Sequence, residues 1–483
     1  MNLRFLSKII GTVLCAAAVC MLPSLLLSLA EQDGFTPAFL ISIALGLLLG
    51  IPLARRPMAT NDRLHLRDGF AIVAGCWLCL SFFCALPYWL GGALPNFADA
   101  LFETASGLTT TGASVIRDVE ALPKSILFWR SLTQFLGGMG ILVLMLALLP
   151  RLGTGSAFLM KAESPGPIKS KLVPKIGESA KILYRIYLIL IGAETLCLRM
   201  AGMSWFDSLC HAMCTVSTGG FSTKNASLAY YDSLAVNWIA ILFMFLSGVS
   251  FALLVCIVRR DFGAVRKNEE LRLYGGTVLG ASVGIVLVLL FQGGSSASFS
   301  LVTDVVFQVV TTITSTGFAM EDYTLWPTAA QGILLLLMLM GGCAGSTAGG
   351  VKPVRLLLLH KMMCRSVHRV IHPRQVRAIT LGGKRVDEDT LSAVCVFFYS
   401  YVFLLIVGTL ILSFDQLGFS EAFSAALTGL SNIGPGMGTL GPTSNFAALS
   451  ILSKLTITAL MLIGRLEIFP ILVLLTPACW LRK

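Results

Sequence analysis

Residues 99–113 read Asp99-Ala100-Leu101-Phe102-Glu103-Thr104-Ala105-Ser106-Gly107-Leu108-Thr109-Thr110-Thr111-Gly112-Ala113. An acid opens the stretch, and a glycine behind three threonines closes it. Three more stretches follow the same plan: Val216-Ser217-Thr218-Gly219-Gly220-Phe221, Ile313-Thr314-Ser315-Thr316-Gly317-Phe318 and Leu430-Ser431-Asn432-Ile433-Gly434-Pro435. Asp99, Asp304 and Glu421 precede Gly112, Gly317 and Gly434 by 13 residues, and Asp207 precedes Gly219 by 12.

The unit has a physical reading. A carboxylate suits the positive end of a short helix dipole and can cap free N–H groups there. A glycine ends the helix because it takes left-handed or extended angles without a Cβ clash. About 14 helical residues cover about 21 Å, short of the roughly 30 Å hydrocarbon core of a bilayer. Irregular backbone at that depth survives only where it lines a water-filled path or is buried in protein. Four such turns around one axis form rings of carbonyl oxygens that replace the hydration shell of a bare cation. The predicted filter residues are Thr110, Thr111 and Gly112; Ser217, Thr218 and Gly219; Ser315, Thr316 and Gly317; and Asn432, Ile433 and Gly434.

The flanks agree with a membrane setting. Each unit lies between long apolar runs, and runs of about 18–25 apolar residues read as membrane helices. Ten are found, at about 8–30, 38–54, 69–92, 126–149, 182–202, 236–258, 273–292, 329–359, 391–414 and 450–478. The chain is 56% hydrophobic and 13% charged, with a mean hydropathy of +0.83, against about 25% charged in soluble proteins. This excludes a soluble enzyme, a disordered tail protein and a nucleic-acid binder. The runs are too uniformly apolar for the alternating strands of a barrel. The expected fold is an all-α polytopic membrane protein of ten transmembrane helices. Two N-terminal helices (1–68) precede four pseudo-symmetric helix–pore helix–helix repeats around one central pore, at 69–181, 182–272, 273–390 and 391–483. The stretch after Arg4 and Lys8 is read as an uncleaved first helix rather than a signal peptide.

Charge gives orientation. Of 36 Lys and Arg, most cluster in every second connection, near 55–67, 150–181, 259–272 and 352–388. By the positive-inside rule these loops and both termini are cytoplasmic. The net charge of +11 is thus mainly a topology signal. The long basic loop at 352–388 suits lipid-surface anchoring or docking of a partner. Cys76 and Cys79 are spaced C-x-x-C inside an apolar run, with no second pair, and read as apolar filler.

With these residues in view, the chain resembles the Trk/Ktr/HKT superfamily of potassium transporters, most closely the membrane subunit of the bacterial Trk uptake system (TrkH/TrkG type). The resemblance covers essentially the whole chain. It rests on the four turns, on Ala162-Glu163-Ser164-Pro165-Gly166-Pro167, on the stretch Gly341 to Lys352, and on Gly464-Arg465-Leu466-Glu467. The two extra N-terminal helices favour the Trk branch, whereas Ala348 stands where many Trk members carry glycine. The resemblance implies potassium uptake across the bacterial inner membrane, a homodimer, and a cytoplasmic nucleotide-binding regulatory subunit, with no nucleotide on this chain. A serine at the first filter glycine goes with sodium transport in this superfamily, so Gly112 argues for potassium. Asn432-Ile433 makes the ring chemically uneven.

Two further sites stand out. The stretch 341–350 holds five glycines, each disfavoured in a helix by about 1 kcal/mol relative to alanine. It is expected to unwind into an intramembrane gating loop, with Gly345, Ser346, Thr347, Gly349 and Gly350 as gate residues. Arg465 lies inside the last apolar run, where a charge is by default functional. It is expected to form a cationic barrier below the filter, or else a structural pair with an acid on another helix. Against an enzyme stand the five scattered histidines and the lack of any catalytic motif. A proton- or sodium-coupled symporter on the same fold is the closer rival. Its candidates are Glu103, otherwise a hydrogen-bonded support behind the filter, and Glu194.

Overall fold

A computed structural model describes residues 3–56, 66–140, 176–292, 298–375 and 378–477. These residues form twenty α-helices and one two-stranded hairpin. The N-terminal part holds α1 (Leu3–Cys20), α2 (Leu22–Glu31), α3 (Thr36–Ala54), α4 (Leu66–Cys84), α5 (Leu86–Leu90), α6 (Phe97–Leu108) and α7 (Lys124–Gly138). The middle holds α8 (Ile176–Met200), α9 (Trp205–Val216), α10 (Leu234–Ser247), α11 (Phe251–Val258), α12 (Phe262–Lys267), α13 (Glu269–Phe291) and α14 (Phe299–Ile313). After α15 (Thr328–Met340) and α16 (Pro353–Ile371) comes the hairpin of β1 (Thr380–Leu381) and β2 (Lys384–Arg385). The chain then forms α17 (Glu388–Leu412), α18 (Phe419–Ser431), α19 (Ile451–Arg465) and α20 (Phe469–Leu475).

Five helical segments are long and apolar enough to cross a membrane: Arg4–Glu31, Thr36–Ala54, Asp68–Leu90, Glu269–Phe291 and Glu388–Asp415. Two bent pairs raise the number to seven among the described residues. The ten expected runs are therefore not ten straight spans. The run at 126–149 is helical over α7 and leaves the described residues after Gly140. That at 182–202 lies within α8, which has the length to cross but carries Arg185, Glu194 and Arg199.

Three runs are broken. The run 236–258 bends by 103° between α10 and α11, and 450–478 bends by 116° between α19 and α20. The run 329–359 separates into α15 and α16 around an unwound stretch. Freed backbone groups at the breaks satisfy one another, as burial demands. Cys343 N donates to Gly248 O (2.9 Å) and Phe251 N donates to Gly345 O (2.9 Å). At the last break Glu467 (φ 52°) and Ile468 (φ 70°) are left-handed. At 236–258 and 450–478 long apolar stretches flank the break, so hydropathy reads one helix, whereas the glycines of 341–350 announce the third break.

The four short helices α6, α9, α14 and α18 are almost wholly buried over their C-terminal halves. Asn96, Ser204 and Ser298 cap the first three through their side chains. Glu421 closes the fourth by accepting from Gly418 N (3.0 Å). Asp99, Asp207 and Glu421 lie in the first turn, but Asp304 does not, because α14 begins at Phe299. Three of the acids do further work beside the dipole. Asp99 pairs with Lys454 (2.7 Å), Asp207 accepts from Thr223 Oγ1 (2.6 Å), and Glu421 accepts from Thr439 N (2.8 Å).

Candidate functional site: four turns closing on one another

Each short helix ends the same way. One residue enters the left-handed region, Thr110 (φ 53°), Thr218 (57°), Ser315 (54°) or Asn432 (55°). The next residue donates its N–H five residues back: Thr111 to Ser106 O (2.8 Å), Gly219 to Cys214 O (2.8 Å), Thr316 to Thr311 O (2.9 Å) and Ile433 to Thr428 O (3.0 Å). The left-handed residue donates three back, as Thr110 does to Gly107 O (3.0 Å). This is a Schellman helix end, made four times. Left-handed threonine is rare and strained, so its use twice marks a demanded backbone shape.

A glycine follows two residues after each left-handed residue: Gly112 (φ 85°), Gly220 (74°), Gly317 (81°) and Gly434 (105°). This corrects the second turn. Gly220, not Gly219, is equivalent to Gly112, and Asp207 then precedes it by 13 residues as in the other three. Gly219 matches Thr111, Thr316 and Ile433. Ser217 matches Thr109, Thr314 and Ser431 at the helix end. The Gly-Gly pair hid the register.

These four glycines join the turns into a closed cycle. A Cβ on Gly112 would overlap the Gly219 carbonyl oxygen, one on Gly220 that of Thr316, and one on Gly317 that of Ile433. One on Gly434 would lie 2.7 Å from Thr111 O. Each turn therefore packs its glycine against the carbonyl of the next, and the fourth returns to the first. All four glycines line one open mouth of about 160 Å³.

Support behind the turns is polar and buried. Glu103 Oε1 accepts from Arg130 Nε (2.6 Å), and Glu103 Oε2 accepts from Val115 N (3.0 Å). The Ser114 hydroxyl donates to the same carboxylate. Arg130 continues to Ser222 O (2.9 Å) and stacks over the Phe221 ring (3.6 Å to the centroid), tying the first turn to the second. Gln134 Nε2 donates to Gly219 O (2.6 Å), and its Oε1 accepts from Phe221 N (3.2 Å). Asn432 Nδ2 donates to Thr111 Oγ1 (3.0 Å) and Met461 O (2.9 Å), linking the fourth turn to the first.

The stretch 341–352 is unwound, with positive φ at Gly341, Gly345, Gly350 and Lys352. It reaches three of the turns from one side. Thr347 Oγ1 donates to Val216 O (3.0 Å) at the end of α9, and Gly349 N donates to Ser315 Oγ (2.7 Å). A Cβ on Gly349 would overlap Ser431 O. Arg465 adds the remaining unit: it donates to Thr347 O (2.8 Å) and to Gly137 O and Gly138 O (2.5 and 2.6 Å) at the end of α7. Gly345, Ser346, Gly349, Gly350, Asn432 and Arg465 are thereby brought to one inner cavity of about 140 Å³, beside which the Thr347 side chain is buried.

Several residues of this site escaped sequence reading. Arg130 is the buried partner of Glu103, and Gln134 lies one turn further along α7. Glu467, two residues from Arg465, pairs with Arg355. Buried Lys352 donates to Ala348 O within the loop. The available signal was charge inside apolar context: Arg130 and Lys454 both fall within runs read as membrane helices. Glu194 is fully buried, and neither carboxylate oxygen has a hydrogen-bond partner among the described residues. The Ala162–Pro167 motif lies outside the described residues.

Membrane-length apolar helices, four buried half-length helices and a closed cycle of strained turns between two cavities define a membrane transport protein. The chain belongs to the TrkH family: the model of that family, a cation transport protein, matches residues 33–480. It is 39% identical to the Trk system potassium uptake protein TrkH of Halomonas elongata, over 99% of this chain and 100% of the relative. It is 38% identical to TrkH of Escherichia coli (strain K12), over 99% and 100%. Its structure is similar to the crystal structure of the potassium transporter TrkH from Vibrio parahaemolyticus, with a TM-score of 0.87 and 35% identity over 100% of both chains.

Proposed function

We propose that the chain takes up potassium through the cycle of four turns, acting as a selectivity filter. The observation that carries this reading is the closure of Gly112, Gly220, Gly317 and Gly434 on successive carbonyls, with a mouth on one side and a cavity on the other. Carbonyl oxygens in such a cycle replace the water that a potassium ion sheds. The names of the relatives point to the same ion. In this reading the four units are pseudo-symmetric repeats at 69–181, 182–272, 273–390 and 391–483, behind two leading helices.

The loop 341–350 is the gate, and Arg465 is a cationic barrier beneath the filter. The support is that the loop bonds to the second and third turns and packs against the fourth, while Arg465 bonds to the loop and to the end of α7. Residues 352–388, with α16 and the hairpin, face the cytoplasm, as do both termini. They receive a nucleotide-binding regulatory subunit of the Trk type, in a homodimer in the inner membrane. A second reading, proton- or sodium-coupled symport, draws on Glu194, whose carboxyl is fully buried with no charged partner among the described residues. The test is 86Rb+ uptake into liposomes, with potassium and sodium as competitors, at several pH values. The filter reading expects block by potassium and not by sodium, with no pH optimum. Uptake that requires sodium or a proton gradient supports symport and moves Glu194 into the mechanism.

A further inference from the structure

We infer that Arg117 sets the rate at which the mouth captures potassium, acting as a repulsive charge at the entrance; the inference rests on the filter reading above. Among the described residues, the side chains lining the mouth include three cations, Arg117, Arg130 and Lys224, and no acid. A cation entrance is the last place where that balance is expected, because a cleft of one sign concentrates ions of the other.

The three cations are not equivalent. Arg130 is buried and neutralised by Glu103 at 2.6 Å. Lys224 is held by Glu120 at 3.7 Å and lies over the Tyr230 ring at 4.3 Å. Arg117 is exposed and has no hydrogen-bond or ion-pair partner among the described residues. The neighbouring acid, Asp118, is occupied: its Oδ1 accepts from Asn225 Nδ2 (2.8 Å), Glu120 N (3.1 Å) and Ala121 N (3.3 Å). Its charge remains nearby, but Arg117 is the cation facing the entrance that no acid holds. Arg117 and the four glycines line the same cavity, so an ion entering it comes within the field of Arg117.

A fixed charge at an entrance acts on encounter, not on coordination inside. It raises the external concentration needed for half-maximal uptake and leaves the maximal rate and the ion preference alone. Salt weakens it, because the screening length falls from about 30 Å at 0.01 M to about 10 Å at 0.1 M. The chain is thereby tuned away from capture at low external potassium.

The experiment measures initial 86Rb+ uptake into liposomes against Rb+ concentration, with choline chloride setting ionic strength, for the wild type, Arg117→Gln, Arg117→Glu and Arg117→Lys. Arg117→Gln is expected to lower the half-saturating concentration about three- to ten-fold at low ionic strength, with Arg117→Glu lower still and Arg117→Lys near wild type. The difference should shrink below about two-fold at high salt. Unchanged half-saturation in Arg117→Gln, with wild-type uptake competed by potassium, overturns the inference alone. A changed maximal rate at constant half-saturation also overturns it, since that assigns Arg117 to structure or gating. Wild-type uptake that potassium does not compete overturns the filter reading and this inference with it.

Discussion

Replacing Gly220 by alanine, and Gly219 separately, discriminates between two registers of the second turn. Gly220 has φ of 74°, where an L-residue costs about 1–2 kcal/mol. Its new Cβ would overlap the backbone carbonyl of Thr316, and overpacking adds about 1–3 kcal/mol. Relief requires moving a neighbouring turn. The sum is about 3 kcal/mol, a loss of roughly a hundredfold. Gly219 differs: its φ is not positive, and its Cβ would meet the carboxamide of Gln134. That is the movable end of a side chain. The equivalent residues Thr111, Thr316 and Ile433 all carry side chains. Displacing Gln134 loses its bonds to Gly219 O and Phe221 N, about 1–2 kcal/mol, or a five- to thirty-fold fall. The assay is 86Rb+ uptake normalised to folded protein by size exclusion, with potassium and sodium as competitors. Gly219→Ala combined with Gln134→Ala should be less than additive, because the two share one contact. A severe loss of selectivity in Gly219→Ala with near-normal Gly220→Ala would refute the register drawn from the helix ends.

Arg130→Gln leaves Glu103 as an uncompensated buried charge, so it should destabilise by about 3–5 kcal/mol; thermal unfolding in detergent checks this, and Arg130→Gln with Glu103→Gln should recover part of the loss. Asn432→Leu removes the bond to Thr111 Oγ1 and should weaken preference for potassium over sodium, since an unpaired buried group costs about 1–3 kcal/mol; competition assays read it. Arg465→Ala is expected to raise flux as a barrier residue, and reduced protein level with unchanged flux per molecule would assign it to structure instead. Gly349→Leu, whose side chain meets Ser431 O, should alter open probability in single-channel recording without changing ion preference.

The recurring glycine, the hydroxyl residues before it and the acid upstream were legible because a helix end imposes fixed backbone angles, and few residue types meet them. The register of the second turn was not, since Gly219-Gly220 satisfies the pattern in two ways and only the bond from Gly219 N to Cys214 O decides. The unwinding at 341–350 was legible for the same reason as the turns: five glycines cannot hold a helix cheaply. The bends after Ser247 and Arg465 were hidden because long apolar stretches resume on both sides of them. Arg130 was missed because its meaning lies in Glu103, 27 residues away in sequence, and pairing of that kind leaves no local spacing.

One chain supplies all four turns, and none of them is a copy. In a ring made of four identical subunits, every substitution is made four times. A change costing 1 kcal/mol per site, about five-fold, becomes 4 kcal/mol, about a thousandfold. Here the same change is felt once. The ring can be revised a quarter at a time, and Asn432-Ile433, standing where the other turns carry Thr110-Thr111, Thr218-Gly219 and Ser315-Thr316, is what such piecemeal revision leaves behind. The contact cycle that makes the turns interdependent in space is thus built from positions that are independent in the gene.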